Sequence, residues 1–175
     1  MIETMTTRHA ILPTQIGPLT AVLDGEGEDT ALVGLYFPGH WTLPDPVTFG
    51  PLTEADEPVL TALAAQLGEY LEGTRREFDV PVDPRGGEYH QRVWERLARI
   101  PYGETVTYGQ LAAELGGAAQ AIGRAVGANP ISILVPCHRV VGADGSLTGY
   151  AGGIERKRAL LALEEPAAEE RGALF

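Results

Sequence analysis

The sequence predicts an α+β fold, with strands gathered in its first half and helices in its second. Three observations carry that expectation. Two apolar runs flanking an Asp-Gly turn near the N-terminus have the pattern of a hairpin. From Pro58 onward, apolar residues recur at helical spacing. Residues 88–128 then read as three successive helices separated by glycine and proline stops. With 175 residues, 44% of them hydrophobic, the chain can form one large domain or two small ones.

Residues 16–23 and 31–37, joined through Asp24-Gly25 and an acidic turn, make the predicted hairpin. Pro38, Pro44, Pro46 and Pro51 mark the next stretch as loop, because proline lacks the amide a ladder needs. Leu60, Leu63, Ala64, Leu67 and Leu71 line one face of a helix over residues 58–71. Residues 78–82 suit a further short strand, and Pro84-Arg85-Gly86-Gly87 suits a linker. The chain is therefore expected to divide into domains 1–84 and 85–175.

The second part opens with a helix over residues 88–100, where Tyr89, Val93, Leu97 and Ile100 share a face beside Trp94. Arg92, Arg96 and Arg99 form a second stripe. It suits a solvated face or a phosphate-binding one, and the usual fate of surface charge favours the first. Pro101-Tyr102-Gly103 stops this helix. Thr107 starts the next, with Gln110 completing a capping box and Val106 and Leu111 placed as a hydrophobic staple. Gly116-Gly117 ends it. A third helix covers residues 118–128, before Asn129-Pro130 breaks it.

Two short helices joined by a glycine turn have the pattern of a helix-turn-helix. The third helix is almost without bulk: Ala118, Ala119, Ala121, Gly123, Ala125, Gly127 and Ala128. That fits close packing on another helix, or entry into a narrow minor groove, and composition alone does not decide. The β-branched residues 131–135 are expected to form a buried strand that delivers Pro136-Cys137-His138-Arg139. A turn at Gly142-Ala143-Asp144-Gly145, a glycine-rich loop at 148–153 and a helix over 154–163, ending at Glu164, follow.

The net charge of −11 argues against nucleic-acid binding if taken whole, but its distribution does not. Residues 85–158 carry nine basic and six acidic side chains, and the acidic excess lies outside them. A modest basic excess predicts modest salt-dependent affinity for phosphates. No apolar run approaches the roughly 18 residues of a membrane span. Met1-Ile2-Glu3-Thr4-Met5 lacks the features of a secretory signal, so a cytoplasmic protein is expected. The single cysteine, Cys137, excludes an internal disulfide. His9, His40, His90 and His138 are scattered, so no metal is expected.

A lone cysteine is a small buried hydrophobe or a nucleophile. Here His138 and Arg139 follow at once, and nearby cationic groups favour the thiolate. If the segment is extended, however, adjacent side chains point to opposite faces, and His138 reaches the sulfur only through a bend or a water.

Pro136-Cys137-His138-Arg139-Val140, preceded by Asn129-Pro130 and followed by Gly149-Tyr150-Ala151-Gly152-Gly153, resembles the O6-alkylguanine-DNA alkyltransferases (methylated-DNA–protein-cysteine methyltransferases). The similarity covers residues 88–164, including Ile100-Pro101-Tyr102-Gly103-Glu104-Thr105 and Tyr108-Gly109-Gln110-Leu111-Ala112. It is weaker in the N-terminal part, where Ile16-Gly17-Pro18-Leu19 fits the bacterial members. The resemblance implies a ribonuclease-H-like α/β N-terminal domain and a mainly helical C-terminal domain with a winged-helix-like helix-turn-helix.

The resemblance also implies direct-reversal repair of double-stranded DNA by a monomer without a cofactor. O6-alkylguanine, with O4-alkylthymine as a second expected substrate, gives its alkyl group irreversibly to Cys137. The third helix enters the minor groove, setting Gln120, Ala121 and Arg124 against DNA, and the damaged nucleotide is rotated out of the stack. His138, acting through a water, deprotonates the thiol, Glu164 orients His138, and Asn129 holds the turn before the nucleophile. Tyr108 donates to N3 of the base, where charge develops as guanine departs. The Ala151 amide addresses O6, the Cys137 and Val140 carbonyls accept from the exocyclic amine, and Tyr150 walls the pocket. Arg139 reads as structural.

Two departures stand out. Gln120 occupies the position, nine residues before Asn129, where the family carries an arginine, and Arg124 lies one helical turn on. The turn between the two short helices is about two residues shorter than in relatives. Rival readings are a non-catalytic alkyl-lesion sensor, a plain helix-turn-helix regulator and a cysteine hydrolase. Sensors of the first kind replace the cysteine that this chain keeps, and adjacent Cys137 and His138 make a poor direct dyad.

Overall fold

A computed structural model describes residues 6–40, 43–54, 56–147, 150 and 152–165. Its N-terminal half is an antiparallel meander of β1 (Arg8–Leu12), β2 (Leu19–Asp24) and β3 (Ala31–Tyr36), followed by helix α1 (Pro58–Leu71). The hairpin forms as the sequence predicts, with Ala21 facing Leu35 and a register shift at Val22/Leu23. Strand β1 was not foreseen. Its core residues Ala10 and Leu12 alternate with exposed Ile11, the period-2 pattern of a half-buried strand. Leu60, Leu63 and Leu67 of α1 are buried as the spacing requires, joined by Tyr70.

The expected strand at 78–82 shrinks to a single parallel bridge between Leu32 and Val82. Pro81 has no amide to extend a ladder. Its carbonyl accepts from Leu32 N, and Asp83 N donates to Leu32 O.

The C-terminal half is helical. It comprises α2 (Glu88–Leu97), β4 (Val106–Thr107), α3 (Tyr108–Leu115), α4 (Ala119–Gly127), β5 (Val140–Val141) and α5 (Ile154–Glu164). Helix α2 stops three residues before the expected end and closes through a tighter turn to Ile100, which is still buried. Thr107 caps α3 with both bonds of a capping box in place, Thr107 Oγ1 accepting from Gln110 N and Gln110 Oε1 from Thr107 N. Such a cap contributes about 1 kcal/mol.

Both arginines of the predicted stripe that fall on α2 serve packing, and Arg99 lies beyond its end. Arg92 donates to Leu115 O at 3.1 Å, and Arg96 pairs with Glu114 at 2.6 Å, so both tie α2 to α3. Trp94 Nε1 donates to Ala125 O at 2.8 Å and holds α4 on the other side. Helix α4 buries Ile122, Ala125 and Val126. Its opposite side carries exposed Ala119, Gln120 and Arg124, with Ala121 and Gly123 half-buried. Of the small residues, Ala118 and Ala119 are exposed, Ala125 is buried and the rest are half-buried, so the thin composition serves both faces.

The β-branched run at 131–135 is not a strand, contrary to the sequence expectation. It is a compact turn with only one bridge, Leu35 to Ile131. Two of its amides bond within the run, Val135 N to Ile131 O and Leu134 N to Ser132 O, while Ser132 N donates to Leu35 O of β3. The Asn129 side chain accepts from Ile131 N at 3.0 Å and donates to Ile131 O (3.3 Å) and Val135 O (2.8 Å). Burial of Ile131, Ile133 and Val135 is achieved without a sheet, at the cost of a left-handed Ile133 with φ of 73°. A β-branched residue there is strained by about 1–2 kcal/mol.

The two halves share contacts around one helix. Arg156 of α5 donates to Ile16 O and to Gly152 O, and its guanidinium lies 4.8 Å from the Phe37 ring centroid. A Cβ on Gly152 would sit 2.5 Å from that ring, so only glycine allows the approach.

Candidate active site

The turn held by Asn129 feeds Cys137–Arg139, which form one short 3-10 turn before β5. Successive side chains there are rotated by about 120°, so His138 is not carried to the face opposite Cys137 as an extended chain would carry it. All three residues are buried, His138 completely. Parallel pairing of Val106 with Val140 and Thr107 with Val141 brings the start of α3 against this segment. Tyr108, the first residue of α3, directly follows the strand whose Val106 pairs with Val140, 34 positions on in sequence.

Helix α5 supplies the charged partners. Lys157, Leu160 and Glu164 are buried at i, i+3 and i+7, one face of the helix. Glu164 collects donors on both oxygens. Oε2 accepts from His138 Nε2 at 2.8 Å, Arg139 Nη2 at 2.9 Å and the Tyr70 hydroxyl at 2.5 Å, and Oε1 from Arg139 Nε at 2.7 Å. Burial alone would raise this carboxyl, but the bonds from His138, Arg139 and Tyr70 hold it down to about 2. An ionised carboxylate only accepts, so the proton on His138 sits at Nε2 and Nδ1 presents its lone pair. Burial keeps the imidazole below its ordinary pKa despite the pull of Glu164, so it is neutral. Nδ1 is buried and bonded to none of the described residues.

Burial pushes the Cys137 thiol up, and the Asn129 amide, the Lys157 ammonium and the Tyr150 hydroxyl draw it the other way without prevailing. The sulfur at rest is a thiol. Lys157, fully buried, is pushed down to about 8 by desolvation, with the Cys137 charge opposing. Its Nζ stands 5.9 Å from the centroid of Tyr108, which is half-buried. Tyr150 is buried edge-on to Phe37 at 6.3 Å, and burial together with the Cys137 charge holds its hydroxyl well above the ordinary value.

The structure thus gathers Cys137, His138, Glu164, Asn129, Tyr108, Val140 and Tyr150 into one region. Ala151 lies outside the described residues, as do Thr148 and Gly149. Gln120, Ala121 and Arg124 stand apart on the outer face of α4. Sequence reasoning missed Lys157 and Tyr70. The first left a signal, a lysine sharing a helix face with Leu160 and Glu164, whereas nothing local marks Tyr70, whose partner is 94 residues away.

A groove of about 970 Å³, lined by Arg76, Arg99 and Tyr102, reaches Pro136 and Arg139 from behind but does not touch Cys137. Among the described residues, no three histidine, cysteine or acidic side chains come together as a metal site would require. Nor is any described helix long and apolar enough to cross a membrane.

Residues 88–166 match the family described as "6-O-methylguanine DNA methyltransferase, DNA binding domain" and residues 8–84 its "ribonuclease-like domain". The methylated-DNA–protein-cysteine methyltransferase of Mycobacterium tuberculosis is 47% identical over 177 residues, covering 95% of this chain and 98% of the relative. The inducible enzyme of the same name from Bacillus subtilis is 42% identical over 151 residues, 81% of this chain and 84% of its own. The crystal structure of the M. tuberculosis O6-methylguanine methyltransferase superposes with a TM-score of 0.77 at 43% identity, covering 93% of this chain and 97% of that one. A structure of the M. tuberculosis protein in complex with DNA gives 0.76 at 44% identity, covering 91% and 96%.

Proposed function

The chain belongs to the 6-O-methylguanine DNA methyltransferase family, and from that premise we propose that it reverses DNA alkylation directly, moving the alkyl group from O6 of guanine onto Cys137. The observation that carries this reading is the buried run from Cys137 through His138 to Glu164, with the imidazole Nδ1 unbonded among the described residues. The thiol proton passes to Nδ1 through a bridging water, and Glu164 stabilises the imidazolium that forms. Sulfur attacks the alkyl carbon, the S–C bond forms as the C–O6 bond breaks, and the electron pair leaves with guanine. Tyr108, at the N-terminus of α3, donates to N3 and offsets that charge. A thioether offers water no good leaving group, so each molecule acts once.

We assign DNA contact to the outer face of α4, with Gln120, Ala121 and Arg124 in the minor groove, and assign Val140, Tyr150 and Ala151 to the walls of the pocket for the extruded base. A monomer acting on duplex DNA in the cytoplasm, divided at residues 84/85, suits this arrangement.

Intact-mass measurement after incubation with duplex DNA containing O6-methylguanine tests the reading. The parent should gain one methyl, mapped to Cys137, and Cys137→Ser should gain none. Tight binding to the lesion without an adduct would instead favour a sensor, and a Cys137→Ser protein that cleared the lesion would sink the mechanism.

A further inference from the structure

We infer that Tyr70 is a positioning residue for the alkyl transfer proposed above, and that through it the N-terminal half takes part in the chemistry. Its hydroxyl fixes Glu164, which in turn fixes the ring of His138. The inference rests on that functional reading but goes beyond the Cys137–His138–Glu164 set.

Four observations carry it. First, the Tyr70 hydroxyl donates at 2.5 Å to Oε2 of Glu164, the same oxygen that takes the proton of His138 Nε2. Second, Tyr70 brings that carboxylate a donor from the N-terminal half. His138 and Arg139 sit in one turn, so their bonds hold Glu164 only relative to that turn. Third, Glu164 is the last residue of α5, where a helix frays by default. An anchor from a second element counters that tendency.

Fourth, the hydroxyl is rigidly placed. Tyr70 is 1% exposed on a helix whose Leu60, Leu63 and Leu67 are buried. Its ring lies against Phe78 (5.4 Å) and perpendicular to Tyr102 (6.2 Å). An apolar nest of this kind would accept phenylalanine, and a buried hydroxyl there is costly unless bonded. Its bond to Glu164 accounts for its presence.

Removing the hydroxyl should have two consequences. The carboxylate loses one of its restraints, so His138 Nδ1 points less reliably at the thiol. With one donor fewer, Glu164 also favours the protonated imidazole more strongly, so the acid limb of the rate profile moves to higher pH.

The test is single-turnover methyl transfer from duplex O6-methylguanine DNA, from about pH 5.5, one unit below the ordinary histidine pKa, to about pH 9, for the parent, Tyr70→Phe and Phe78→Leu. Phe78→Leu loosens the same nest without touching the hydroxyl and serves as the packing control. Tyr70→Phe should slow transfer about fivefold at neutral pH, the size of one ordinary hydrogen bond. It should shift the acid limb upward and leave DNA affinity unchanged. Phe78→Leu should lower the melting temperature and keep the parent's pH profile. In a Glu164→Gln background, Tyr70→Phe should add no further loss.

A Tyr70→Phe protein with the parent's rate and profile would overturn the inference. So would a rate loss shared by Phe78→Leu in proportion to lost stability, or additive losses in the Glu164→Gln background. A parent that transfers no methyl would bring down the functional reading itself, an outcome readily told from these.

Discussion

Arg139 offers the sharpest test of how the site is held together. Its guanidinium spends Nε and Nη2 on Glu164, at 2.7 and 2.9 Å, and Nη1 on Ile100 O at 2.6 Å, while 8% exposed. Arg139→Met removes all three bonds and leaves the Glu164 carboxylate buried with His138 and Tyr70 alone. Removing one partner of a buried ion pair costs about 3–5 kcal/mol. Glu164, held near 2 against an ordinary 4.5, gives an independent scale. That difference is worth on the order of 3 kcal/mol of pH-dependent stability.

The sign follows from a depressed carboxyl. The contribution is fully present above pH 4.5 and is lost as pH falls toward 2. At neutral pH, Arg139→Met should therefore melt lower by roughly 6–20 °C for a chain of this length. Arg139→Lys, which keeps the charge but not the planar fork, should fall between it and the parent. Thermal melts at pH 7 and pH 4 read both effects, and the gap between parent and Arg139→Met should narrow at pH 4 or below. An Arg139→Met protein melting within about 1 °C of the parent at pH 7 would refute the reasoning, since it would mean that the carboxylate does not depend on the guanidinium.

Two further predictions concern the thiol and the DNA face. Lys157→Met removes a cation that favours the thiolate, so alkylation of Cys137 by a small electrophile should slow below pH 8. The two proteins should converge above it, where Lys157 in the parent has lost its proton; equal rates at pH 7 would count against the role of Lys157. Gln120→Arg should speed single-turnover repair of duplex DNA and leave the reaction with a free alkylated guanine unchanged, because arginine fills and charges the gap left by an extruded base better than glutamine does. Unchanged rates on both substrates would remove Gln120 from the account.

How much of this was legible in the sequence depends on how local each cause is. The hairpin, the helix over Pro58–Leu71 and the Thr107–Gln110 capping box were readable because neighbouring residues specify them. The run at 131–135 was misread for the same reason. Its β-branched composition argues for a strand, but the Asn129 side chain takes over the hydrogen bonds a ladder would supply and folds the run into a turn. From the residues alone the Asn-Pro pair reads as a helix stop, and only the family resemblance implies that Asn129 holds the turn. Cys137, His138 and Glu164 came from a motif, whereas Tyr70 joins them across 94 residues through a contact no spacing encodes. Lys157 sat in plain view as a charge on the buried face of α5.

That last pattern bears on how the site works. Two ionisable residues, Lys157 and Glu164, occupy core positions of one helix and flank the Cys137 turn, yet the thiol between them stays protonated because burial outweighs both the cation and the amide beside it. A protonated, buried thiol is a poor target for oxidants and stray electrophiles, which a single-use nucleophile cannot afford to meet. Activation then cannot come from a standing low pKa. On the mechanism proposed above it comes from a route for the proton, which would end at a neutral imidazole whose Nδ1 meets no partner among the described residues and whose Nε2 is anchored to an ionised carboxylate. Holding that carboxylate ionised in a buried setting takes four hydrogen bonds from three residues. On that proposed mechanism, the polar network behind the cysteine serves to keep the proton acceptor ready rather than to keep the sulfur charged.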